Sequence, residues 1–278
     1  MPNDLDLNFA CVTIAGMRRL AVSAALFLAC VAPLVAADDP LSRARLLYNQ
    51  GQFEAAINAA EQARLTPARA DAADLVAARA YLERFRTSAA SGDLVNARDR
   101  LRRIDPQRFP ARERAEYVVG LGEALFFEDA FGAAADVLEP IVRSPDALIG
   151  DARERVLDWW ASALDREAKP RPEIERQVVY QRIRARMEEE LAAHPGSGAA
   201  AYWLAAAARA QGDVQAAWDA AIAAWVRAPL ASDRGAALRA DLDQLVLRAI
   251  VPERARATAQ TPESLRQQWE AFKQRWNR

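Results

Sequence analysis

Apolar residues recur along this chain at helical spacing, and one short phrase of that pattern returns four times. It stands around Gly51 (NQGQFEAAINAAEQARLTP), Gly92 (ASGDLVNARDRLRRIDP), Asp129 (FEDAFGAAADVLEPIVRSP) and Gly212 (AQGDVQAAWDAAIAAWVRAP). Two residues after each turn residue comes a large apolar side chain: Phe53, Leu94, Phe131 and Val214. Five after it comes a small one: Ala56, Ala97, Ala134 and Ala217. Further along stand Ala60 and Ala63, Leu101 and Ile104, Leu138 and Ile141, Ala221 and Ala224, and a proline closes each phrase (Pro67, Pro106, Pro145, Pro229). These offsets fall on one face of a helix. The small residue lets that helix approach an antiparallel partner closely, and the turn residue reverses the chain. The pattern therefore predicts helix hairpins that cannot bury their apolar faces alone and must stack.

Between Pro145 and Gly198 the phrase degenerates. Two helices are still legible there, DARERVLDWWASALDREA and PEIERQVVYQRIRARMEEELAAHP, joined across Lys169-Pro170-Arg171-Pro172. After Pro229 come a helix near Asp233–Leu247 and a short Val251–Ala259 segment. Thr261-Pro262-Glu263 then marks a helix start, with proline at the first helical position. Leu265, Trp269, Phe272 and Trp276 form an apolar stripe on that last helix, which is expected to seal the end of the stack. Composition points the same way. Hydrophobic residues make up 52% of the 278, alanine prominent among them, and strand-length β-branched runs are nearly absent, so the fold class is all-α.

The repeated phrase resembles the tetratricopeptide repeat family, with Gly-Asp or Gly-Gln and an aromatic residue at the turn, then Ala, then a terminal proline. The last unit is the closest match, with Leu204 and Ala205 at the family's Leu and Gly/Ala positions and Pro229 at its proline; Leu121 and Gly122 fill the same pair in the third. Arg43 and Arg84 stand where the family has Leu, the intervals between turns are longer than the family's, and Pro140 falls inside a predicted second helix. The resemblance covers roughly residues 40–230, with one degenerate unit. It implies a right-handed superhelical solenoid of antiparallel hairpins with a concave groove that binds peptides or protein segments. The domain organisation expected is a signal peptide at 1–37, a repeat array at 38–230 and capping helices at 231–278.

The signal-peptide reading rests on MRRLAVSAALFLACVAPLVAADDP. Arg18 and Arg19 are a positive start, Leu20 to Ala32 an apolar stretch, and Val35-Ala36-Ala37 a small-residue cleavage site before Asp38. Asp4 and Asp6 are foreign to such a start, so Met17 is the expected initiator. The apolar run is shorter than the ~20 residues of a comfortable bilayer span. Export to the periplasm or envelope of a bacterium follows. An alternative is a lipoprotein acylated at Cys30, since Phe27-Leu28-Ala29-Cys30 is similar to a lipobox, and only then would a membrane be a partner. The chain's two cysteines, Cys11 and Cys30, both precede Ala37, so the mature chain is expected to have neither disulfide nor thiolate.

Charge and chemistry narrow the function. With 37 basic and 38 acidic side chains there is no surplus to displace counterions from nucleic acid. The local basic run Arg98–Arg114 reads as a solvated face. The single histidine, His194, precedes Pro195-Gly196 at a helix end, where a cation meets the helix dipole. No metal, cofactor or catalytic constellation is expected. Glu263-Ser264 matches a dipeptide of peptidoglycan lyases, but capping accounts for it, and Glu188-Glu189-Glu190 reads as a solvated face. A module of a cell-wall enzyme is thus the weaker alternative to a protein-binding adaptor. Trp159 and Trp160 point about 100° apart on a helix. Trp160 joins Leu157 and Leu164 in the core, which leaves Trp159 as a ligand anchor. The resemblance places the groove on the first helix of each hairpin. Counting back from the turns puts Arg79, Leu82, Arg86 and Ala89, then Glu116, Val119, Glu123 and Phe126, then Ala199, Tyr202, Ala206 and Arg209 on it. The candidate groove residues are Arg79, Arg86, Glu116, Glu123, Phe126, Trp159, Tyr202 and Arg209, and the partner expected from them is an extended segment bearing carboxylates.

Overall fold

A computed structural model describes residues 39–144 and 147–276. The signal segment, Cys11, Cys30 and Pro145 lie outside the described residues. Helix is the only regular secondary structure among the described residues, as the helical spacing of the apolar positions requires. The helices are α1 (Pro40–Asn49), α2 (Phe53–Arg64), α3 (Ala70–Ser88), α4 (Ser91–Leu101), α5 (Ala111–Phe127), α6 (Phe131–Arg143) and α7 (Asp151–Ala168). They continue as α8 (Glu173–Ala193), α9 (Gly198–Ala210), α10 (Val214–Arg227), α11 (Ala236–Leu245), α12 (Val251–Ala257) and α13 (Pro262–Trp276).

Turn chemistry sets the hairpins. Gly51 (φ 72°), Asp129 (φ 59°) and Gly212 (φ 81°) adopt the left-handed conformation. At each, the next residue donates its N–H to the carbonyl five residues back: Gln52 to Leu47, Ala130 to Leu125, Asp213 to Ala208. This closure satisfies carbonyls that the helix end would otherwise orphan. The second hairpin departs from expectation. Its left-handed residue is Ala89 (φ 53°), and Gly92 lies inside α4. The helix starts about one turn earlier than the aligned phrase implies, which leaves Ala97 on the same inward face.

The small positions are where helices touch. Ala56, Ala97, Ala134 and Ala217 are all fully buried. At Gly122 a Cβ would come 2.5 Å from Leu138 Cδ2, so a side chain there would displace the buried Leu138 of α6. Consecutive helices pack on one another from α1 through α11, and the odd-numbered helices also touch each other: α1 on α3, α3 on α5, α5 on α7, α7 on α9, α9 on α11. The core is accordingly segmented. One cluster joins Leu82, Leu101 and Phe109, another Leu138, Leu157, Trp160, Ile183 and Met187, and a third Trp218, Trp225, Leu242, Leu265 and Trp269.

The C-terminal region differs from the sequence reading in two respects. The two short helices expected after Pro229 form one continuous rod, α11 running through a five-residue π segment (Val246–Ile250) into α12. Pro252 therefore falls inside this rod, where its missing N–H leaves a carbonyl of the preceding turn without that donor. On α13, capped by the Thr261 hydroxyl accepting from Ser264 N–H, Leu265, Trp269 and Phe272 are buried, but Trp276 is 52% exposed. The apolar stripe therefore ends one turn early. Trp269 packs at 5.4 Å from Trp225 and 5.9 Å from Trp218, and its indole N–H donates to Asp243. No helix among the described residues is long and apolar enough to cross a membrane.

Candidate functional site

Helices α3, α5, α7, α9 and α11 line a shared concavity of about 1420 Å³, with Glu190 and Ala193 of α8. Arg86 comes from α3, Glu123 and Phe127 from α5, Asp158 and Trp159 from α7, Tyr202 and Trp203 from α9, and Asp241 from α11. Loops around Ile149, Pro195 and Leu230 form its rim, and Ile149 and Leu230 are largely exposed there.

Four of the eight residues singled out from sequence, Arg86, Glu123, Trp159 and Tyr202, line this groove. Trp159 is not a free-standing anchor. Its ring is half-buried, 4.6 Å from Phe126 and 5.2 Å from Phe127 in edge-on contacts, with the remainder facing the groove. Such pairs hold a ring in one orientation. Phe126 lies behind it, covered by Phe131 and by the Arg166 guanidinium 5.0 Å from its centroid. Trp160 is fully buried with Leu157 and Leu164. Leu82, expected on the groove surface, is 1% exposed and belongs to the core.

Arg79 and Glu116 are paired with each other at 2.7 Å, and Arg79 lies 4.5 Å over the Tyr48 ring, on the α1–α3–α5 side and outside the groove lining. Arg209 donates through both Nε and Nη2 to Glu253 of α12 and lines a shallower depression with Glu173 and Gln211. Arg86 is held 2.7 Å from Glu83. The arginines expected to receive a partner's carboxylates thus already have carboxylates of their own.

Glu123, Asp158 and Asp241 of the groove make no ion pair among the described residues. Burial pushes the Glu123 carboxyl up to about 7, against the opposing pull of Arg79, Arg155 and Arg86. Asp158 is also raised by burial, while the Trp203 indole N–H, donating at 2.8 Å, works the other way. Asp241 is raised by burial and then by the Asp158 charge. The Tyr202 hydroxyl is raised by burial and by Asp241, Asp158 and Asp165. Sequence reasoning missed Asp158 and Asp241. Position counting needs a recognisable turn, which α7 lacks, and α11 was assigned to the cap. One available signal was the adjacency of Asp158 to Trp159.

Two charged segments also read differently in three dimensions. Glu188 and Glu189 are exposed, but Glu190 is 1% exposed and takes a fork from Arg153, whose Nε and Nη2 lie 2.7 and 2.6 Å from its two oxygens. Burial opposes ionisation of Glu190, but the Arg153 bonds, with Arg186 and His194 alongside, hold its carboxyl below the usual range. His194 caps α8, its N–H on the Glu190 carbonyl and its Nδ1 2.9 Å from the Glu190 carboxylate. In the Arg98–Arg114 run, Arg98 pairs with Glu128, Arg100 with Asp74 and Glu61, and Arg108 with Asp71, so much of that charge is neutralised internally. Comparison of the chain with protein-family models, with curated proteins and with solved structures finds no match.

Proposed function

We propose that this chain is a cell-envelope adaptor, a right-handed superhelical stack of tetratricopeptide-like hairpins whose groove holds an extended segment of a partner protein. In this reading residues 38–230 form the array and the helices of 231–278 close its end. The observation that carries it is the construction of the groove: successive odd-numbered helices each contribute side chains to one continuous concavity. At about 1420 Å³ it exceeds the ~300–1,000 Å³ usual for small-molecule pockets. Its walls combine rigid aromatic surface (Phe127, Trp159, Tyr202, Trp203) with a few charges, the composition that binds chain segments by anchoring some side chains and orienting others. The segmented core supports a stack in which each hairpin is stabilised by its neighbours. Export rests on the N-terminal pattern alone. The mass of the secreted chain tests it: a start at Asp38 supports cleavage, and an acylated Cys30 replaces it with the tethered form.

The groove assignment is tested with a random dodecapeptide library displayed on phage and panned against the full chain. Ser162 lines the groove and is half-buried, so Ser162→Trp fills it without entering the core. Retained segments are expected to bind Ser162→Trp at least about tenfold more weakly, a loss of roughly 1.4 kcal/mol, with the helical melt unchanged. Ala199→Trp, on the facing helix, should behave alike. Segments that bind both variants as tightly as the parent would place binding elsewhere.

A further inference from the structure

The charges around the groove sort into those already matched within the chain and those that are not. Glu83 is matched by Arg86 at 2.7 Å, Asp165 by Lys169 at 2.7 Å and by the Tyr180 hydroxyl at 3.0 Å, and Glu190 by Arg153. Glu154 accepts from the Ser197 hydroxyl and the Ala199 N–H. Of the nearby cations, Lys169 is paired with Asp165, Arg155 lies 3.7 Å from Glu83 and Arg209 is paired with Glu253, while Arg166 lies over the rings of Phe126 and Phe131 and is in no ion pair among the described residues. Of the other lining carboxylates, Asp151 accepts from the Ser232 hydroxyl, Asp233 accepts from the N–H groups of Gly235 and Ala237, and Glu123, in no hydrogen bond or ion pair among the described residues, stands in the field of Arg79, Arg155 and Arg86; Asp158 and Asp241 have no such cation. Asp158 accepts only the Trp203 indole N–H, and Asp241 makes no hydrogen bond or ion pair among the described residues. They come from α7 and α11, which both pack on α9, and they line the same concavity as Tyr202 of α9.

We propose that this stretch of the groove seats a lysine or arginine side chain of an extended partner segment, with Asp158 and Asp241 as its counter-charges and Tyr202 beside it. The inference rests on the adaptor reading and supplies its specificity. Two carboxylates in one groove with no cation between them repel each other. A ligand cation relieves it. The flanking rings suit the same occupant, since the aliphatic stem of Lys or Arg packs on aromatic surface while the charged head reaches the carboxylates. The surroundings favour a chain segment over a free amine, because the groove continues past this point to Trp159, Phe127 and Arg86. The ligand charge this selects is opposite to the one the arginines alone would imply.

The dodecapeptide panel decides the matter. Segments that bind the full chain and are released by Ser162→Trp are expected to share a Lys or Arg position, and Lys→Gln there should weaken binding about tenfold by fluorescence anisotropy. The double variant Asp158→Asn, Asp241→Asn should lose about as much, and the two losses should not add, the signature of a direct pair. Binding to the parent should weaken with salt, and more steeply than binding to the double variant. Folding is not at risk in the double variant, because the change removes a repulsion, and its helical melt checks this. Groove-dependent segments that lack a cation, or that bind the double variant as tightly as the parent, overturn the proposal and leave the adaptor reading standing. Segments that ignore Ser162→Trp and Ala199→Trp take both down.

Discussion

In Glu123→Gln a half-buried carboxyl in the groove wall becomes a neutral amide of the same shape, and the fold should gain stability at and above neutral pH. The carboxyl ordinarily titrates at 4.5 and is pushed up to about 7 in the folded chain. The folded state therefore binds the proton more tightly than the unfolded state. Between about pH 7 and 4.5 the folded chain is protonated while the unfolded chain is not, so the parent gains stability on acidification and loses it as pH rises through 7. Each pKa unit corresponds to ~1.4 kcal/mol, so the full shift sets a ceiling of about 3 kcal/mol on the penalty. Partial exposure reduces it, and about 1–3 kcal/mol is expected. Urea unfolding followed by circular dichroism, from pH 4.5 to 8.5, measures the difference. Parent and variant should coincide near pH 4.5 and diverge in the variant's favour up to about pH 8. A difference that is flat with pH, or a variant less stable at pH 8, would mean that Arg79, Arg155 and Arg86 outweigh burial.

Trp269→Ala should cost about 3–5 kcal/mol in urea unfolding, since it empties a fully buried site between Trp218, Trp225 and Phe272; a cost under about 1 kcal/mol would show that α13 is not an integral part of the fold. Gly235→Ala places a Cβ against Ala228 at a φ of 79°, and the combined collision and strain should cost about 2–4 kcal/mol by the same assay. Arg153→Met leaves Glu190 buried with Arg186 and the exposed His194 as its remaining basic contacts, and about 3–5 kcal/mol should be lost at neutral pH. Glu190 is held below its usual range, so its stabilising contribution is present above about pH 4.5 and fades on acidification; the gap between parent and Arg153→Met should shrink in the same direction.

The sequence by itself determined the helical class, the extent of α7 (Asp151–Ala168) and the burial of Ala56, Ala97, Ala134 and Ala217. All of these follow from residues within a few positions of one another: apolar spacing at 3.6 residues per turn, small side chains at a contact, caps and turn formers at helix ends. Where a local signal had a rival nearby, it could be misread. Ala89 closes the second hairpin although Gly92 is the better left-handed former, and the helices flanking the π segment join because nothing between them forbids helical backbone. Charge was not legible locally. Arg209 finds Glu253 across 44 residues of sequence, Arg79 finds Glu116 across 37, and Glu190 of an apparently solvated acidic run is buried on Arg153. Only the tertiary structure decided which charges are spent on one another and which, at Asp158 and Asp241, line the groove without a cation beside them among the described residues. A charge has no periodicity to announce its side of the molecule, and its partner is whatever the packing of distant helices brings within reach.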